Sequence, residues 1–192
     1  MAPKILTFAG SIRHGAFSGL LAAAALHELG ELGAEAELLS LADFDLPIYT
    51  GDLEAEAGVP EAAVALNARL GAADGIFVVT PEYNAGVPPL LKNAIDWASR
   101  ARGARDPFKG PVWAIGASSP GAMGGYRAAM MLRQVLALGL GALVLGGQVS
   151  IGGAGQAFGE DGRLKDERQA RLLRGVLADL VTEAVRRAAV RA

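Results

Sequence analysis

Cysteine is absent from this chain of 192 residues, and histidine occurs only as His14 and His27. The absence of cysteine excludes disulfides, thiolate metal sites and cysteine nucleophiles. An excess of either charge is also lacking, because the formal net charge is −2, which argues against nucleic-acid binding as the main role. No apolar run reaches the roughly 18 residues of a membrane span. We therefore expect no metal, nucleic-acid or membrane partner.

The bulk composition is that of a globular protein. Hydrophobic residues make up 52% of the chain and charged residues 20%, and a chain of this length fits one domain, which we expect to span residues 1–192. The apolar run from Ile5 to Ala9 is too short for the core of a signal peptide. We therefore expect a cytoplasmic protein.

Short apolar runs alternate with helical periodicity along the chain. Gly75–Thr80, for example, is rich in β-branched residues, as expected of a strand buried on both faces. A long passage from Asp43 to Pro60 is predicted to be irregular. The predicted strands are Lys4–Ala9, Glu35–Leu39, Gly75–Thr80, Pro111–Gly116 and Ala142–Leu145, and the predicted helices are Ser18–Leu32, Glu61–Ala73, Pro89–Arg100, Tyr126–Leu138 and Lys165–Arg187.

Five strands alternating with five helices imply right-handed crossovers and a parallel sheet. The predicted fold class is α/β, a flavodoxin-like doubly wound five-stranded parallel sheet of order 2-1-3-4-5 with helices on both faces. In such a sheet, the loops that follow the first, third and fourth strands converge on one edge, where ligands bind. These loops are Gly10–Ser18, Pro81–Pro88 and Ser118–Gly125.

The first of these loops has the composition of a phosphate site. Ser11 and Ser18 supply hydroxyls and Arg13 supplies a guanidinium, and the loop leads into a helix N-terminus that favours anions. The loop alone leaves an alternative open, in which the two serines only cap the turn and the helix while Arg13 is solvated. No GxxxxGK[ST] pattern occurs, which argues against nucleoside-triphosphate hydrolysis.

The second loop interrupts a buried strand with a polar, aromatic and Gly/Pro-rich turn, which suits a flat ligand. Three segments are GSIRHGAFS (10–18), TPEYNAGVPPLLKNAIDW (80–97) and SSPGAMGGYRAAMMLRQVL (118–136). Together they resemble the NADPH-dependent FMN reductase family, which includes quinone and chromate reductases. The chain departs from the family pattern at Ala16, where serine is expected, and at Ser18, where asparagine is usual.

The resemblance implies a site for FMN and no metal. It places the FMN phosphate on the first loop, the isoalloxazine ring on the second, and the other side of the flavin on the third. Because hydride chemistry belongs to the cofactor, no catalytic acid or base is nominated. For Tyr83 and Glu82, ordinary roles as a loop anchor and a turn cap remain as alternatives. The implied residues are Ser11, Arg13, Phe17 and Ser18 for the phosphate, Pro81, Glu82, Tyr83 and Asn84 for the ring, and Ser118, Ser119 and Gly121 for the other side.

The function implied is an FMN-dependent oxidoreductase that takes hydride from NADPH or NADH. Its electrons would pass to a small-molecule acceptor such as a quinone, free flavin or chromate. The resemblance also implies a homodimer or homotetramer, with Tyr126, Arg127 and Arg133 as interface candidates. A basic run, Arg100 to Lys109, is either a solvated face or a contact for the NADPH 2′-phosphate.

Two other classes share this type of sheet. A flavodoxin-type electron carrier is the main alternative, although Arg13 and the near-neutral charge speak against it. A receiver domain needs acidic residues after the first strand and an aspartate after the third. Ala9-Gly10-Ser11 and Thr80-Pro81 stand at those places, which disfavours a receiver domain.

Overall fold

The computed structural model describes residues 2–191, which form five strands and six α-helices. Two short 3₁₀ turns, Leu41–Asp43 and Ala154–Gln156, and a π-helical turn, Val135–Gly139, complete the elements. The strands are β1 (Lys4–Ala9), β2 (Glu35–Leu39), β3 (Gly75–Thr80), β4 (Val112–Ser118) and β5 (Leu143–Ile151), and the helices are α1 (Phe17–Glu31), α2 (Gly51–Ala57), α3 (Glu61–Ala72), α4 (Pro89–Arg100), α5 (Tyr126–Gln134) and α6 (Glu167–Arg191).

The five strands form one sheet of order β2-β1-β3-β4-β5, and every neighbouring pair is parallel. The predicted fold class and strand order are therefore confirmed. The central strand β3 is buried along its whole length, which explains why its sequence is apolar without alternation. In the described part of the chain, no helix has the length and apolar character that a membrane crossing requires.

Each face of the sheet is covered by its own set of helices. In β3, Ile76 and Val78 belong to one core cluster while Phe77 and Val79 belong to the other, because successive strand side chains point to opposite faces. The Ile76 face packs against α3, α4 and α5, and the Phe77 face packs against α1 and α6. An apolar layer on each face therefore fixes the sheet, and with it the edge at which the loops converge.

The passage predicted to be irregular contains a helix that the sequence analysis missed. Helix α2 has no buried residue, so the apolar periodicity that indicates a helix is absent from its sequence. It forms because the Thr50 side chain accepts a hydrogen bond from the Leu53 amide at 3.1 Å, and because Asp52 and Glu54 lie in its first turn. The helix ends at Gly58, whose φ is 76°. The prediction of five helices was therefore wrong by one.

Strand β5 is much longer than predicted, since it continues to Ile151 rather than ending at Leu145. The Gly146-Gly147 pair resembles a strand end in sequence. In the structure it lies in a bulge, where the register against β4 shifts between Trp113 and Ile115. Arg133 on α5 donates hydrogen bonds to the carbonyls of Leu145 and Gly146, so its guanidinium satisfies backbone groups at the bulge.

Candidate functional site

A cleft of about 180 Å³ lies where the loops after β1, β3 and β4 meet. We call these loop 1 (Gly10–Ala16), loop 3 (Pro81–Pro88) and loop 4 (Ser119–Gly125). The cleft brings together all the predicted site residues except Asn84 and Gly121, and it adds Ala16 and Pro120. The complete lining is Ser11, Arg13, Ala16, Phe17, Ser18, Pro81, Glu82, Tyr83, Ser118, Ser119 and Pro120.

Loop 1 ends at a helix N-terminus that no side chain within residues 2–191 caps. Ala16 occupies the N-cap position and has no side-chain acceptor. The backbone amides of Phe17 and Ser18 therefore have no hydrogen-bond partner within the described chain. Free amides at the positive end of a helix favour an anion. The alanine that departs from the family pattern thus leaves the helix end open to a ligand.

The polar side chains of loop 1 lie beside this helix end. Ser11 Oγ accepts a hydrogen bond from the Arg13 amide at 3.3 Å, which shapes the turn. The exposed Arg13 guanidinium donates to the carbonyls of His14 and Gly15 at 3.2 and 3.4 Å. Arg13 therefore presents an exposed positive charge at the mouth of the cleft. No acidic side chain among residues 2–191 pairs with it.

Two hydroxyls in the cleft wall are buried without a partner. Ser18 is 1% exposed and Ser118 is 2% exposed, and the Oγ atoms of both lack a hydrogen bond in the described structure. An unsatisfied buried polar group costs about 1–3 kcal/mol. Both residues line the cleft, and two unpartnered hydroxyls in one wall indicate a site for a ligand with hydrogen-bonding groups.

Loop 3 is built around a tight turn in which Tyr83 and Gly86 exchange backbone hydrogen bonds of 3.1 and 2.9 Å. Asn84 and Ala85 at its tip have φ values of 49° and 66°, a region that non-glycine residues rarely adopt. This turn places the half-exposed Tyr83 ring at the cleft and carries Asn84 away from its lining. The amide of Glu82 has no hydrogen-bond partner in the part of the chain that the structure describes.

The Glu82 side chain is held by α5. Its Oε2 accepts hydrogen bonds from the amides of Arg127 and Ala128 at 3.1 and 3.3 Å, and its Oε1 accepts from the Arg127 guanidinium. The guanidinium hydrogen bond is the main cause that holds the pKa of Glu82 below its usual value, although burial opposes it. The capping alternative for Glu82 therefore has direct structural support, at the start of α5 rather than within its own turn.

Loop 4 is anchored to the end of β5. The Ser119 amide donates to Ile151 O and its carbonyl accepts from the Ala154 amide, both at 3.1 Å. Gly121 lies outside the cleft, where its carbonyl accepts hydrogen bonds from the amides of Gly124 and Gly153. The structure thus gives Gly121 a role in holding the loop, which sequence spacing alone did not indicate.

Other features lie at the opposite edge of the sheet. A larger cavity of about 360 Å³ is lined by the starts of β1 and β2 and by the end of α3, far from the three loops. The basic run from Arg100 to Lys109 connects α4 to the start of β4 and so also lies at that edge. Its Arg100 pairs with Glu54 at 2.9 Å, and Arg105 donates to Ala73 O. Two of the basic side chains are thus bonded within the chain, and no residue of the run lines the cleft.

At the carboxyl edge of this flavodoxin-like sheet, an open helix N-terminus, free hydroxyls and a guanidinium lie beside a Gly/Pro-rich turn. This arrangement is typical of the class of proteins that bind a flat, phosphorylated ligand at that edge. Residues 3–156 match the family described as NADPH-dependent FMN reductase. The chain is 40% identical over 151 residues to the quinone reductase of Escherichia coli (strain K12), covering 78% of this chain and 77% of that one.

Two further proteins extend the comparison over nearly the full length. The NAD(P)H-dependent FMN reductase of Pseudomonas aeruginosa is 36% identical over 178 residues, with 92% of each chain covered. The solved structure of the flavoenzyme NAD(P)H:acceptor oxidoreductase FerB from Paracoccus denitrificans matches with a TM-score of 0.75 at 28% identity, covering 97% of this chain and 99% of that one.

The chain belongs to the NADPH-dependent FMN reductase family. It is an oxidoreductase of that family, whose cofactors are FMN and NAD(P)H, so the expectations of family, enzyme class and cofactor are confirmed. Membership favours the reductase over the flavodoxin-type electron carrier. The assignment of individual residues to FMN stays a prediction and is taken up below.

Proposed function

We propose that the chain binds FMN in the cleft between loops 1, 3 and 4 and uses it to oxidise NAD(P)H and reduce small-molecule acceptors. The observation that carries this proposal is the pair of buried, unpartnered hydroxyls, Ser18 and Ser118, beside the uncapped start of α1. Hydroxyls, free amides and one guanidinium are the groups that a phosphate monoester and a polyhydroxy chain require.

In this proposal each loop binds a different part of the cofactor. Ser11, Arg13 and Ser18, with the free amides of Phe17 and Ser18, hold the phosphate. Loop 3 holds the ring through Pro81 and Tyr83 and through the Glu82 backbone amide, which has no partner in the described chain. Ser118 and Ser119 line the opposite side. This assignment keeps the backbone of Glu82 at the cofactor and its side chain on α5, and it leaves Asn84 at the tip of loop 3, outside the cleft.

The bound FMN would supply the hydride-accepting and electron-donating chemistry, which no amino-acid side chain offers. The chain's contribution is to bind and orient. Because the Glu82 carboxylate is occupied by α5, no carboxylate of loop 3 is free to act as an acid or base. The half-exposed Tyr83 leaves one side of the cleft open, so an acceptor approaches there from solvent.

The acceptors we propose are quinones and free flavin, since relatives at 40% and 36% identity are named quinone reductase and NAD(P)H-dependent FMN reductase. Chromate is a further proposed acceptor. We also propose that residues 1–192 form one cytoplasmic FMN-binding domain that assembles as a homodimer or homotetramer. Half-exposed Tyr126, Met130 and Met131 on α5 support burial of that helix by a second copy. Arg127 and Arg133 are already engaged within the chain.

Purification followed by FMN titration and steady-state assay tests this function. We expect the protein to carry or bind FMN, and to oxidise NADPH or NADH when a quinone is supplied. A panel of quinones, free flavin and chromate with each nicotinamide then ranks the acceptors. A protein that binds FMN but does not oxidise either nicotinamide would be an electron carrier, and one that does not bind FMN would refute the proposal.

Arg13→Ala should weaken FMN binding more than His14→Ala does. Arg13 lines the cleft, and a hydrogen bond to a charged group contributes about 1.5–3 kcal/mol, which is roughly a 10- to 100-fold change in affinity. His14 is exposed and does not line the cleft, so its removal serves as the matched control. Flavin fluorescence titrations at low and high salt measure both effects.

The deficit of Arg13→Ala should shrink at high salt, because exposed charge interactions are screened. Equal FMN affinity for the two variants would exclude Arg13 from the phosphate site.

A further inference from the structure

Loop 3 rests on α5 at two separate points. At its start, the Glu82 carboxylate accepts hydrogen bonds from the Arg127 amide at 3.1 Å, the Ala128 amide at 3.3 Å and the Arg127 Nε at 2.9 Å. At its end, the Val87 amide donates to Met131 Sδ at 3.4 Å. Arg127 and Met131 are one helical turn apart, so both contacts lie on the same side of α5.

The contacts of Glu82 use both oxygens of its carboxylate. Its side chain is 9% exposed, whereas that of its partner Arg127 is 56% exposed. The carboxylate also lies at the N-terminus of α5, where free amides and the helix dipole favour a negative charge. Glu82 is therefore fixed by charge, by capping and by a guanidinium at once, and its side chain has no oxygen left over for a ligand.

Helix α5 also begins directly after loop 4. The contact of Glu82 with Arg127 and Ala128 consequently joins the loop that carries Tyr83 to the helix that follows Ser118–Gly125. The two loops flank the same cleft, and this contact links them. A change at Glu82 or at Arg127 should alter the width of the cleft even though Arg127 does not line it.

We propose that Glu82 is a positioning residue that acts through α5, with Arg127 as its partner, and sets the separation of loops 3 and 4. The proposal rests on the proposed function only in taking FMN as the ligand of the cleft. In this role the Glu82 side chain serves the cleft from α5 and does not touch the cofactor. The backbone of Glu82 keeps its place in the cleft wall.

A double-mutant cycle on FMN affinity separates a positioning residue from a direct ligand. The apoproteins of the wild type, Glu82→Gln, Arg127→Met and the double variant are titrated with FMN. We expect each single variant to bind FMN roughly tenfold more weakly, as for loss of one charge-assisted hydrogen bond. The double variant should bind no more weakly than Glu82→Gln alone, because the guanidinium contact that Arg127→Met removes is one of those that Glu82→Gln already weakens.

Arg100→Met provides the matched control. It removes an arginine–glutamate pair of similar exposure, Arg100 with Glu54, that lies outside the cleft. Its FMN affinity should equal that of the wild type. If Arg127→Met also binds FMN as the wild type does, or if the effects of Glu82→Gln and Arg127→Met add in full, then Glu82 does not act through Arg127 and the proposal is overturned.

Two further readouts complete the test. The visible circular dichroism of bound flavin should change in the same way in Glu82→Gln and Arg127→Met, because both shift loop 3. In the apoproteins, hydrogen exchange at the amides of Tyr83 to Val87 should be faster in both variants and unchanged in Arg100→Met. Unchanged exchange in Glu82→Gln would overturn the proposal. Exchange needs no FMN, so a wild type that fails to bind FMN would refute the proposed function and leave this test intact.

Discussion

Ser18 lies buried at the start of α1 with a hydroxyl that has no partner in the described chain. Such a group lowers the stability of the unliganded protein, because it loses its hydrogen bonds to water without replacement. A ligand that supplies the missing hydrogen-bond partner would remove this cost.

Ser18→Ala should separate stability from binding. Removing the unpaired hydroxyl should leave the free energy of unfolding of the apoprotein unchanged or raise it by up to about 1 kcal/mol. FMN binding should weaken by roughly 0.5–1.5 kcal/mol, the net contribution of a neutral hydrogen bond. Urea unfolding and fluorescence titration measure the two quantities. Ser99→Ala, which removes a hydroxyl already bonded to Asp96 O, is the control and should not affect FMN binding.

A destabilised apoprotein combined with unchanged FMN affinity would show that Ser18 serves the fold alone.

The Glu82 carboxylate should also make the stability of the protein depend on pH. The Arg127 hydrogen bond lowers the pKa of the folded Glu82 carboxyl below its unfolded value of about 4.3. The stabilisation by this carboxylate is therefore complete above about pH 4.3 and is lost as the pH falls through the lowered folded pKa. The wild type should be more stable than Glu82→Gln near neutral pH, and the difference should shrink on acidification.

Urea unfolding of both proteins between pH 7 and pH 3 measures this difference. The pKa values of Glu31 and Glu54 are lowered in the same direction by their arginine partners, so both proteins lose stability in acid and only their difference reports on Glu82. A difference that stays constant with pH would contradict the prediction.

At the scale of elements, contacts with α4 explain how the segment before α2 is held in place. Asn93 and Trp97 are one turn apart and both bind the passage before α2. Asn93 Oδ1 accepts a hydrogen bond from the Tyr49 backbone amide at 2.8 Å. Asn93 Nδ2 and the Trp97 indole N–H both donate to Pro47 O. Arg100, one turn further, pairs with Glu54 on α2. The segment 46–54 is therefore fastened to α4 along one side of that helix.

Asn93→Ala should destabilise the protein by about 1–3 kcal/mol, because it leaves the Tyr49 amide and the Pro47 carbonyl with fewer partners. Hydrogen exchange at the Tyr49 amide should become faster, while FMN affinity should stay unchanged because Asn93 does not line the cleft. Lys92→Ala on the same helix removes only an i,i+4 pair with Asp96 and should cost about 0.5 kcal/mol or less. Similar losses in the two variants would contradict this role for Asn93.

Elements marked by an uninterrupted apolar pattern were predicted well, whereas α2 and β5 were not. Strands β1, β2 and β3 and helix α4 have the predicted boundaries, because buried apolar runs and Pro/Gly punctuation mark them locally. Helix α2 buries nothing, and β5 passes through two glycines in a bulge. Besides the local Thr50 cap, α2 depends on the contact of Glu54 with Arg100 of α4. Strand β5 depends on pairing with β4 and on the hydrogen bonds from Arg133.

At the scale of the whole molecule, ligand binding should raise thermal stability by mass action. FMN at a hundredfold excess over its dissociation constant stabilises the native state by about 2.7 kcal/mol. For a chain of this size that corresponds to a rise in Tm of roughly 5–10 °C. Riboflavin, which lacks the phosphate, should raise the Tm much less, because the amides at the start of α1 and Arg13 lose their ligand.

Scanning calorimetry with each flavin measures the two shifts. In Arg13→Ala the gap between FMN and riboflavin should narrow. Equal shifts by FMN and riboflavin in the wild type would mean that loop 1 is not the phosphate site.

The sequence by itself determined the parallel sheet, its strand order and the edge where loops 1, 3 and 4 meet. These follow from local apolar patterns and from the short, right-handed connections that such patterns permit. Only the tertiary structure decided which polar groups in the cleft are satisfied. Glu82 has its partners 45 and 46 residues away on α5, while the hydroxyls of Ser18 and Ser118 have none among residues 2–191. Hydrogen bonds between distant residues depend on packing geometry, which no local pattern in the chain encodes.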